Sequence, residues 1–297
     1  MAKVFISCGQ SSPSERLVAK DIHKWFSENG YNPYVAVETQ NLSDVNSGII
    51  KELRSSDYYV FIDFKRGDLK DGKYRGSLFT NQELAIAHTL GFEEAIFLKN
   101  SEVMLEGISQ YMTANAVHFN NENEVIGKLE ELVAKHEWKN TYSRHLVLGS
   151  LDLSGPCSYK DHTGQTACKI LTAKIMNKRS DIAAYNTVVR LERIECNGEK
   201  VKSHDRNLLK VSGQIGYDQT IWPESYGEID LLLISFGNPI CIYLNSLSDV
   251  YPRKPIISNY GNYTLYYSLI AESFPIFNFS INIYFDDNID SFTYEIK

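Results

Sequence analysis

The residues best suited to chemistry are a glutamate on a predicted helix and a serine at the end of a predicted strand. Glu83 lies in the run Phe79–Leu90, whose apolar spacing predicts a helix. Ser7, followed by Cys8 and Gly9, ends a short apolar run. Beside a sugar, a carboxylate can hold hydroxyl groups and stabilise the positive charge of an oxocarbenium-like transition state. The serine hydroxyl and nearby backbone N–H groups can donate hydrogen bonds to the same sugar or to phosphates.

Five further residues could bind a ligand, and each also has a structural alternative. Asp63 near the end of the third predicted strand, with Lys65 just beyond it, could bind ribose or phosphate or simply cap the strand end. Tyr34 and Phe79 could stack on a flat ring or pack in the core. Ser77 is placed to cap the helix that carries the glutamate. Glu83 itself could be a solvated helix-face glutamate, and the segment after the first strand a turn with a buried thiol.

The first half of the sequence alternates predicted strands and helices, which predicts an open, mostly parallel, five-stranded α/β sheet of flavodoxin-like type. The strands are Val4–Ser7, Tyr34–Val37, Tyr58–Phe64, Ala95–Leu98 and Ala116–Phe119, and the helices begin at Pro13, near Ser47, at Phe79 and near Asn123. Residues 38–44 and 65–76 are predicted loops. Ligands of such sheets bind beyond the carboxyl ends of the strands, so these loops should form one crevice.

Two orientations follow from this arrangement. The helix that begins at Pro13, behind a capping box at Ser12–Glu15, should aim its free N–H groups at the crevice and suit a phosphate. Glu83 should face the loops if Phe79 and Ile86 face the core.

After Trp138 the pattern changes to short alternating apolar runs, with Asn197-Gly198 as a hairpin turn. The sequence therefore predicts an α/β domain over residues 1–137, a linker over 138–145 and an all-β sandwich over 146–297.

Composition excludes several classes of function. The 37 acidic residues exceed the 30 basic ones, giving a net charge of −7, which argues against nucleic acid as the main ligand. No signal peptide and no membrane helix is expected, and five scattered cysteines fit the cytoplasm. The seven histidines do not form a metal-binding set, and neither a metal nor a cofactor is expected.

Two segments resemble the TIR domain family. Ser77–His88, SLFTNQELAIAH, is similar to the Ser-x-Trp-x-x-x-Glu-Leu pattern of the family's third helix, with Phe79 where tryptophan is usual. Lys3–Ser7, KVFIS, resembles the family's first box, a buried strand that ends in a serine at the mouth of the crevice. The resemblance covers residues 1–137.

The resemblance implies an enzyme that consumes NAD as its substrate. In such TIR enzymes the glutamate of the third helix is essential, and the match gives that role to Glu83. The implied activity is that of an NAD glycohydrolase or an ADP-ribose cyclase, activated by self-association through the TIR domain. The stretch Lys174–Arg193 resembles a strand pair of an immunoglobulin-like sandwich, and the pairing of domains implies, by analogy, an antiphage defence or signalling effector whose sandwich recognises a protein trigger.

Two alternatives remain open. The second-box motif Arg-Asp-x-x-Pro-Gly of receptor TIR domains is absent from residues 38–44, and the Phe-Trp third box is not recognisable near Trp138, which disfavours an adaptor more than an enzyme. Asn81–Glu83 followed by Leu90-Gly91 also resembles the corresponding helix of nucleoside deoxyribosyltransferases, which break an N-glycosidic bond as well. The third hypothesis is an interaction module without enzymatic activity.

Overall fold

The computed structural model describes residues 1–36, 42–69, 72–105, 109–112, 115–154, 157–161, 164–201, 207–236, 239–245 and 255–297. The chain divides into two compact units, Met1–Ser143 and Arg144–Lys297. No helix in the described ranges is long and apolar enough to cross a membrane.

The first unit is an α/β fold built on a parallel sheet. Its strands are β1 (Lys3–Cys8), β2 (Asn32–Val35), β3 (Tyr58–Asp63), β4 (Tyr74–Arg75), β5 (Ala95–Asn100), β6 (Val103–Met104) and β7 (Val117–Phe119), and its helices are α1 (Pro13–Glu28), α2 (Leu42–Ser55), α3 (Leu78–Thr89), α4 (Ser109–Met112) and α5 (Val125–Lys135). The main sheet has the order β2-β1-β3-β5-β7, with every pair parallel. The predicted parallel α/β sheet is therefore confirmed.

The apolar character of β3 reflects its central place in this sheet. A cluster that includes Val60 and Leu129 lies on one face. A second cluster, which includes Leu53, Phe61 and Leu84, lies on the other face, against α2 and α3. Because both faces are covered, β3 shows a continuous apolar run in place of alternation. A polar residue on the face packed against α2 and α3 therefore departs from the apolar pattern of that face.

The ends of α1 follow the predicted signals. Pro13 is its first residue, and the Ser12 hydroxyl accepts a hydrogen bond from the Glu15 backbone N–H at 3.1 Å. Gly30 adopts a φ of +78° after the helix, the left-handed conformation that glycine tolerates best.

The largest differences from the sequence prediction are the start of α2 and a short strand inside a predicted loop. Helix α2 begins at Leu42, where a polar loop through Asp44 was expected, because serine and aspartate are also residues of first helical turns. The short strand β4 lies inside the predicted loop 65–76 and pairs with β6. Val37, the predicted end of the second strand, lies outside the described residues.

Much of the predicted linker, residues 138–145, is packed on the first unit. The Trp138 ring is buried and stacks on Tyr58 with centroids 4.1 Å apart. The Asn140 carbonyl accepts a hydrogen bond from the Ala2 N–H at 2.7 Å, and the Ser143 hydroxyl donates to Asp57 at 3.0 Å. The polar stretch after α5 suggested a linker, but both of its aromatic rings, Trp138 and Tyr142, pack on Tyr58 of β3.

The second unit is antiparallel and rich in strands. They are β8 (Leu146–Leu153), β9 (Cys157–Asp161), β10 (Gly164–Asn177), β11 (Ala184–Cys196), β12 (Glu199–Lys200), β13 (Asn207–Leu208), β14 (Gln219–Ile221), β15 (Tyr226–Ser235), β16 (Cys241–Tyr243), β17 (Gly261–Ile270), β18 (Phe277–Phe285) and β19 (Thr293–Ile296). One sheet has the order β16-β15-β10-β8, and the other has β12-β11-β17-β18-β19.

The two sheets of the second unit share one core. Leu171 and Ile229 from the first sheet lie in the same buried cluster as Leu191 and Leu265 from the second. The predicted turn at Asn197-Gly198 joins β11 to β12, and both residues have positive φ, 51° and 85°, as a type I′ hairpin turn requires. An antiparallel β-rich second half is therefore confirmed, and its immunoglobulin-like character stays a prediction.

Candidate active site

Glu83 and Ser7 meet at the edge of the sheet where the parallel strands end. The Ser7 hydroxyl donates a hydrogen bond to the Glu83 carboxylate, with Oγ and Oε2 2.5 Å apart. Ser7 is fully buried next to the last residue of β1, while Glu83 keeps 9% of its surface exposed. The fold thus joins the two leading candidates, which are 76 positions apart in the sequence, in one buried contact.

The orientation of α3 corrects the expectation that Phe79 faces the core, although the helix does pack the half-buried Ile86 against the core. Its buried residues are Thr80, Glu83, Leu84 and Ala87, a stripe at the i, i+3, i+4 and i+7 positions of one helix face. The Phe79 ring is 58% exposed, so it is not a core residue. Glu83 therefore points towards the sheet, inside the helix–sheet contact, and half of the inward stripe is polar.

Asp63, the last residue of β3, binds the N-terminal end of α3. It is fully buried and accepts hydrogen bonds from the Ser77 backbone N–H at 2.8 Å, the Thr80 hydroxyl at 3.3 Å and the Asn81 side-chain amide at 3.2 Å. Ser77 is the N-cap of α3, as predicted. Both carboxylate oxygens of Asp63 accept hydrogen bonds from the protein, so in this structure the group caps the helix that carries Glu83.

Burial raises the pKa of Asp63 to about 6, against the hydrogen bonds from Ser77, Asn81 and Thr80, which lower it. In the unfolded chain the pKa of an aspartate is about 3.9. The folded protein therefore holds this proton more tightly, and its free energy of unfolding should fall by up to roughly 3 kcal/mol as the pH rises from about 4 to 6.

Urea unfolding at intervals between pH 4 and 7 measures this effect. Asp63→Asn should lose that share of the pH dependence, so the difference in unfolding free energy between wild type and variant should change across the window and level off above it. Parallel curves for the two proteins would contradict a raised Asp63 pKa.

The N-terminal end of α1, where a phosphate was expected, holds a carboxylate of the chain itself. Glu15 accepts a hydrogen bond from the Ser11 N–H at 2.9 Å and pairs with both terminal nitrogens of Arg66, at 2.6 and 2.8 Å. The guanidinium passes over Gly9, where a Cβ would lie 2.2 Å from Nη2. Gly9 thus makes room for an ion pair. No local pattern predicts this ion pair, because its two members are 51 residues apart.

Three further candidates, Cys8, Lys65 and Tyr34, each contact other residues of the chain. Burial, the largest cause, and the charge of Glu15 raise the pKa of the Cys8 thiol, which donates to the Gly9 carbonyl at 3.5 Å. Lys65 forms an ion pair with Glu102. The half-buried Tyr34 ring lies 5.4 Å from the Phe5 ring, and the charge of Glu83 contributes to its raised pKa, after burial and Glu52. The charge of Glu83 acts on both Tyr34 and Cys8, whose raised pKa values it increases further.

Tyr59 belongs to the site and was missed at the sequence level. Its side chain is fully buried, and its hydroxyl lies beside Ser7 without a hydrogen bond of normal length. Burial raises the pKa of this phenol well above its usual range, and the charge of Glu83 adds to the effect. Its position four residues before Asp63 on an apolar strand was the available signal, since both then share one face.

A cavity of about 310 Å³ adjoins the N-terminal end of α3. Its lining includes Ser77, Leu78 and Asn81 from that end, together with Arg75 and Met104. Within the described ranges no group of three or more His, Cys, Asp or Glu side chains is arranged to hold a metal ion.

Comparisons with known proteins do not assign a family. No family model matches the chain, and no curated protein matches it. A 2-deoxyribosyltransferase from the psychrotolerant bacterium Bacillus psychrosaccharolyticus aligns at 14% identity over 42% of this chain and 90% of its own, with a TM-score of 0.31. A β-glucosidase from Listeria innocua aligns at 9% identity over 95% of this chain, with a TM-score of 0.32, and the chain spans 45% of its length. OgpA from Akkermansia muciniphila aligns at 11% identity, with a TM-score of 0.24.

Proposed function

We propose that the first unit cleaves the nicotinamide–ribose bond of NAD, with Glu83 as the catalytic carboxylate. The observation that supports this most strongly is the hydrogen bond from Ser7 to Glu83 at the carboxyl edge of the parallel sheet. Ligands of doubly wound sheets bind at this edge. A glutamate turned inward on a helix, in place of an apolar residue, reduces core packing and is expected where function requires it.

The chemistry needs little more than a positioned negative charge. When the bond between the anomeric carbon and the pyridinium nitrogen breaks, both electrons leave with nicotinamide, which becomes neutral. The ribose develops positive charge, which Glu83 stabilises. Water then adds to the anomeric carbon and releases a proton, giving ADP-ribose; attack by a nucleophile of the same molecule would give a cyclic product. No strong general acid is required, because the leaving group already carries the positive charge.

The buried position of Glu83 strengthens the interaction of its negative charge with a cation. The side chain is 9% exposed and lies between α3 and the sheet. A carboxylate interacts more strongly with a cation in such a low-dielectric place than in water. Ser7 and Tyr59 bring two hydroxyls to the same place. Ser7 fixes one carboxylate oxygen, so less reorganisation is needed when the ribose charge appears.

The proposal predicts that the purified protein releases nicotinamide from NAD, most readily at high protein concentration or with a crowding agent. Ser7→Ala should slow release roughly 10- to 100-fold, because a hydrogen bond to a charged group contributes about 1.5–3 kcal/mol. Ser27→Ala, which removes an exposed hydroxyl at the end of α1, is the matched control and should leave the rate unchanged.

Mass analysis of the products separates the hypotheses. ADP-ribose indicates hydrolysis, and a product lighter by one water indicates cyclisation. Exchange of a free base into a deoxynucleoside, with no action on NAD, would support the deoxyribosyltransferase alternative. No turnover of either substrate in any state of association would contradict an enzyme and favour an interaction module. In the wider proposal, the second unit recognises a protein trigger and self-association of the first unit activates NAD cleavage in signalling or defence.

A further inference from the structure

We propose that Asp63 and Gly76 form an anchor that positions Glu83 by fixing the N-terminal end of α3 along its axis. This inference rests on the proposed function, because it assigns a positioning role for the same carboxylate. In this anchor, Gly76 leaves the space for the Asp63 carboxylate, which accepts from three donors at the start of α3: the Ser77 N–H at 2.8 Å, the Thr80 hydroxyl at 3.3 Å and the Asn81 amide at 3.2 Å.

The anchor and the catalytic contact lie on the same face of the sheet. Ser7 pairs with Phe61 across β1 and β3, and Asp63 follows Phe61 by two residues, so all three side chains point towards α3. Strand spacing and rise place Asp63 about 8 Å from Ser7. Glu83 follows Ser77 by six residues, about 9 Å of helix rise. The helix therefore spans the distance between its two polar attachments to the sheet.

Position 76 in the anchor has no space for a side chain. A Cβ at this position would lie 1.8 Å from Asp63 Oδ2 and 2.6 Å from its Cγ, so any larger residue must displace the carboxylate. Its φ is not in the left-handed region, so this glycine is required by the space beside Asp63. The Asn81 amide also donates to the Ser77 carbonyl at 2.7 Å, which ties the anchor to the first helical turn.

This arrangement separates two roles within the buried polar cluster. Asp63 and Asn81 form hydrogen bonds with each other and with the N-terminal end of α3. We assign them a positioning role and assign the reaction to Glu83. Thr80 lies one turn before Glu83 on the same buried face of α3, so its hydrogen bond to Asp63 holds the face that carries Glu83. A displacement of about 1 Å at a catalytic group can reduce a rate about 100-fold, so a small axial shift of α3 would be sufficient.

Gly76→Ala tests the proposal against Gly67→Ala, a glycine of the preceding loop whose Cβ would meet nothing within 4 Å. The first measurement is the ¹³C signal of the Glu83 carboxyl carbon, which needs no activity. In Gly76→Ala it should move towards its position in Ser7→Ala, and in Gly67→Ala it should stay at the wild-type position. The second is steady-state kinetics with NAD, where Gly76→Ala should lower kcat 10- to 100-fold with KM changed less than threefold.

A Glu83 carboxyl signal unchanged in Gly76→Ala would overturn the anchor, whatever the activity. If Gly76→Ala does not fold, Asn81→Ala removes one donor and should move the same signal in the same direction; no movement there would also overturn it. If the wild-type protein cleaves no NAD, the proposed function fails while the carboxyl signal still decides whether the anchor positions Glu83.

Discussion

Glu83→Gln should reduce nicotinamide release about 1,000-fold, while the protein remains as stable as wild type to within about 1 kcal/mol. Glutamine keeps the shape of the side chain and an oxygen that accepts the Ser7 hydrogen bond. It removes only the negative charge that opposes the positive charge on the ribose. The loss corresponds to about 4 kcal/mol of transition-state stabilisation. It should appear in kcat, because the interaction strengthens only as the sugar becomes cationic.

The matched control for this substitution is Glu28→Gln. Glu28 ends α1 on the surface and pairs loosely with Lys24, at 3.8 Å. The same chemical change there should alter the rate less than twofold. Steady-state kinetics with NAD on both variants, together with their urea unfolding curves, tests the assignment. Equal activity of Glu83→Gln and wild type would remove Glu83 from the reaction, and an unfolded variant would show that its charge is structural.

The sequence predicted the sheet and placed Ser7 and Glu83 near its carboxyl edge because both follow from local patterns. Short β-branched runs and helix signals identify the strands and helices, and parallel strands bring their carboxyl ends to one edge. A serine at the end of the first strand and a glutamate on the third helix must then lie near that edge. The parts of the site that depend on element order alone were therefore predictable.

The rotation of α3 was not predictable from hydrophobic spacing. Its buried stripe contains Thr80 and Glu83 in addition to Leu84, whereas Phe79 is exposed. A pattern argument assigns the aromatic residue to the core, because it weighs apolar area and does not see a buried polar cluster. The helix instead turns Thr80 and Glu83 inward, where Asp63 and Ser7 supply hydrogen-bond partners. Such local disagreement between pattern and structure is expected at functional sites.

Contacts between distant residues were missed for a different reason. The Glu15–Arg66 ion pair and the hydrogen bonds of Asp63 join side chains from separate elements, and no spacing rule within one element encodes them. The absence of room beside Gly76 is likewise a property of the folded chain. Local patterns place Asp63 and Ser77 at the correct ends of their elements, but their mutual contact arises only when the chain folds.

Trp138→Ala should destabilise the first unit by about 3–5 kcal/mol, although Trp138 lies beyond the predicted end of that domain. Its ring is buried, stacks on Tyr58 at 4.1 Å and donates from Nε1 to Glu94 at 3.1 Å. The truncation removes this area and leaves a cavity next to β3. Trp222→Ala in the second unit is the matched control, because that ring is 62% exposed and should cost less than about 1 kcal/mol.

Hydrogen exchange at the β3 amides measures this effect on the first unit by itself, which matters because a chain of two units need not unfold in one step. Protection at these amides should fall about 100-fold or more in Trp138→Ala and stay unchanged in Trp222→Ala. Equal protection in both would mean that residues 138–143 contribute little to the fold. The expected result instead makes Ser143 the end of the α/β unit, since a fragment ending at residue 137 would lack both the Trp138 stack and the Asn140 hydrogen bond to β1's N-terminal neighbour, Ala2.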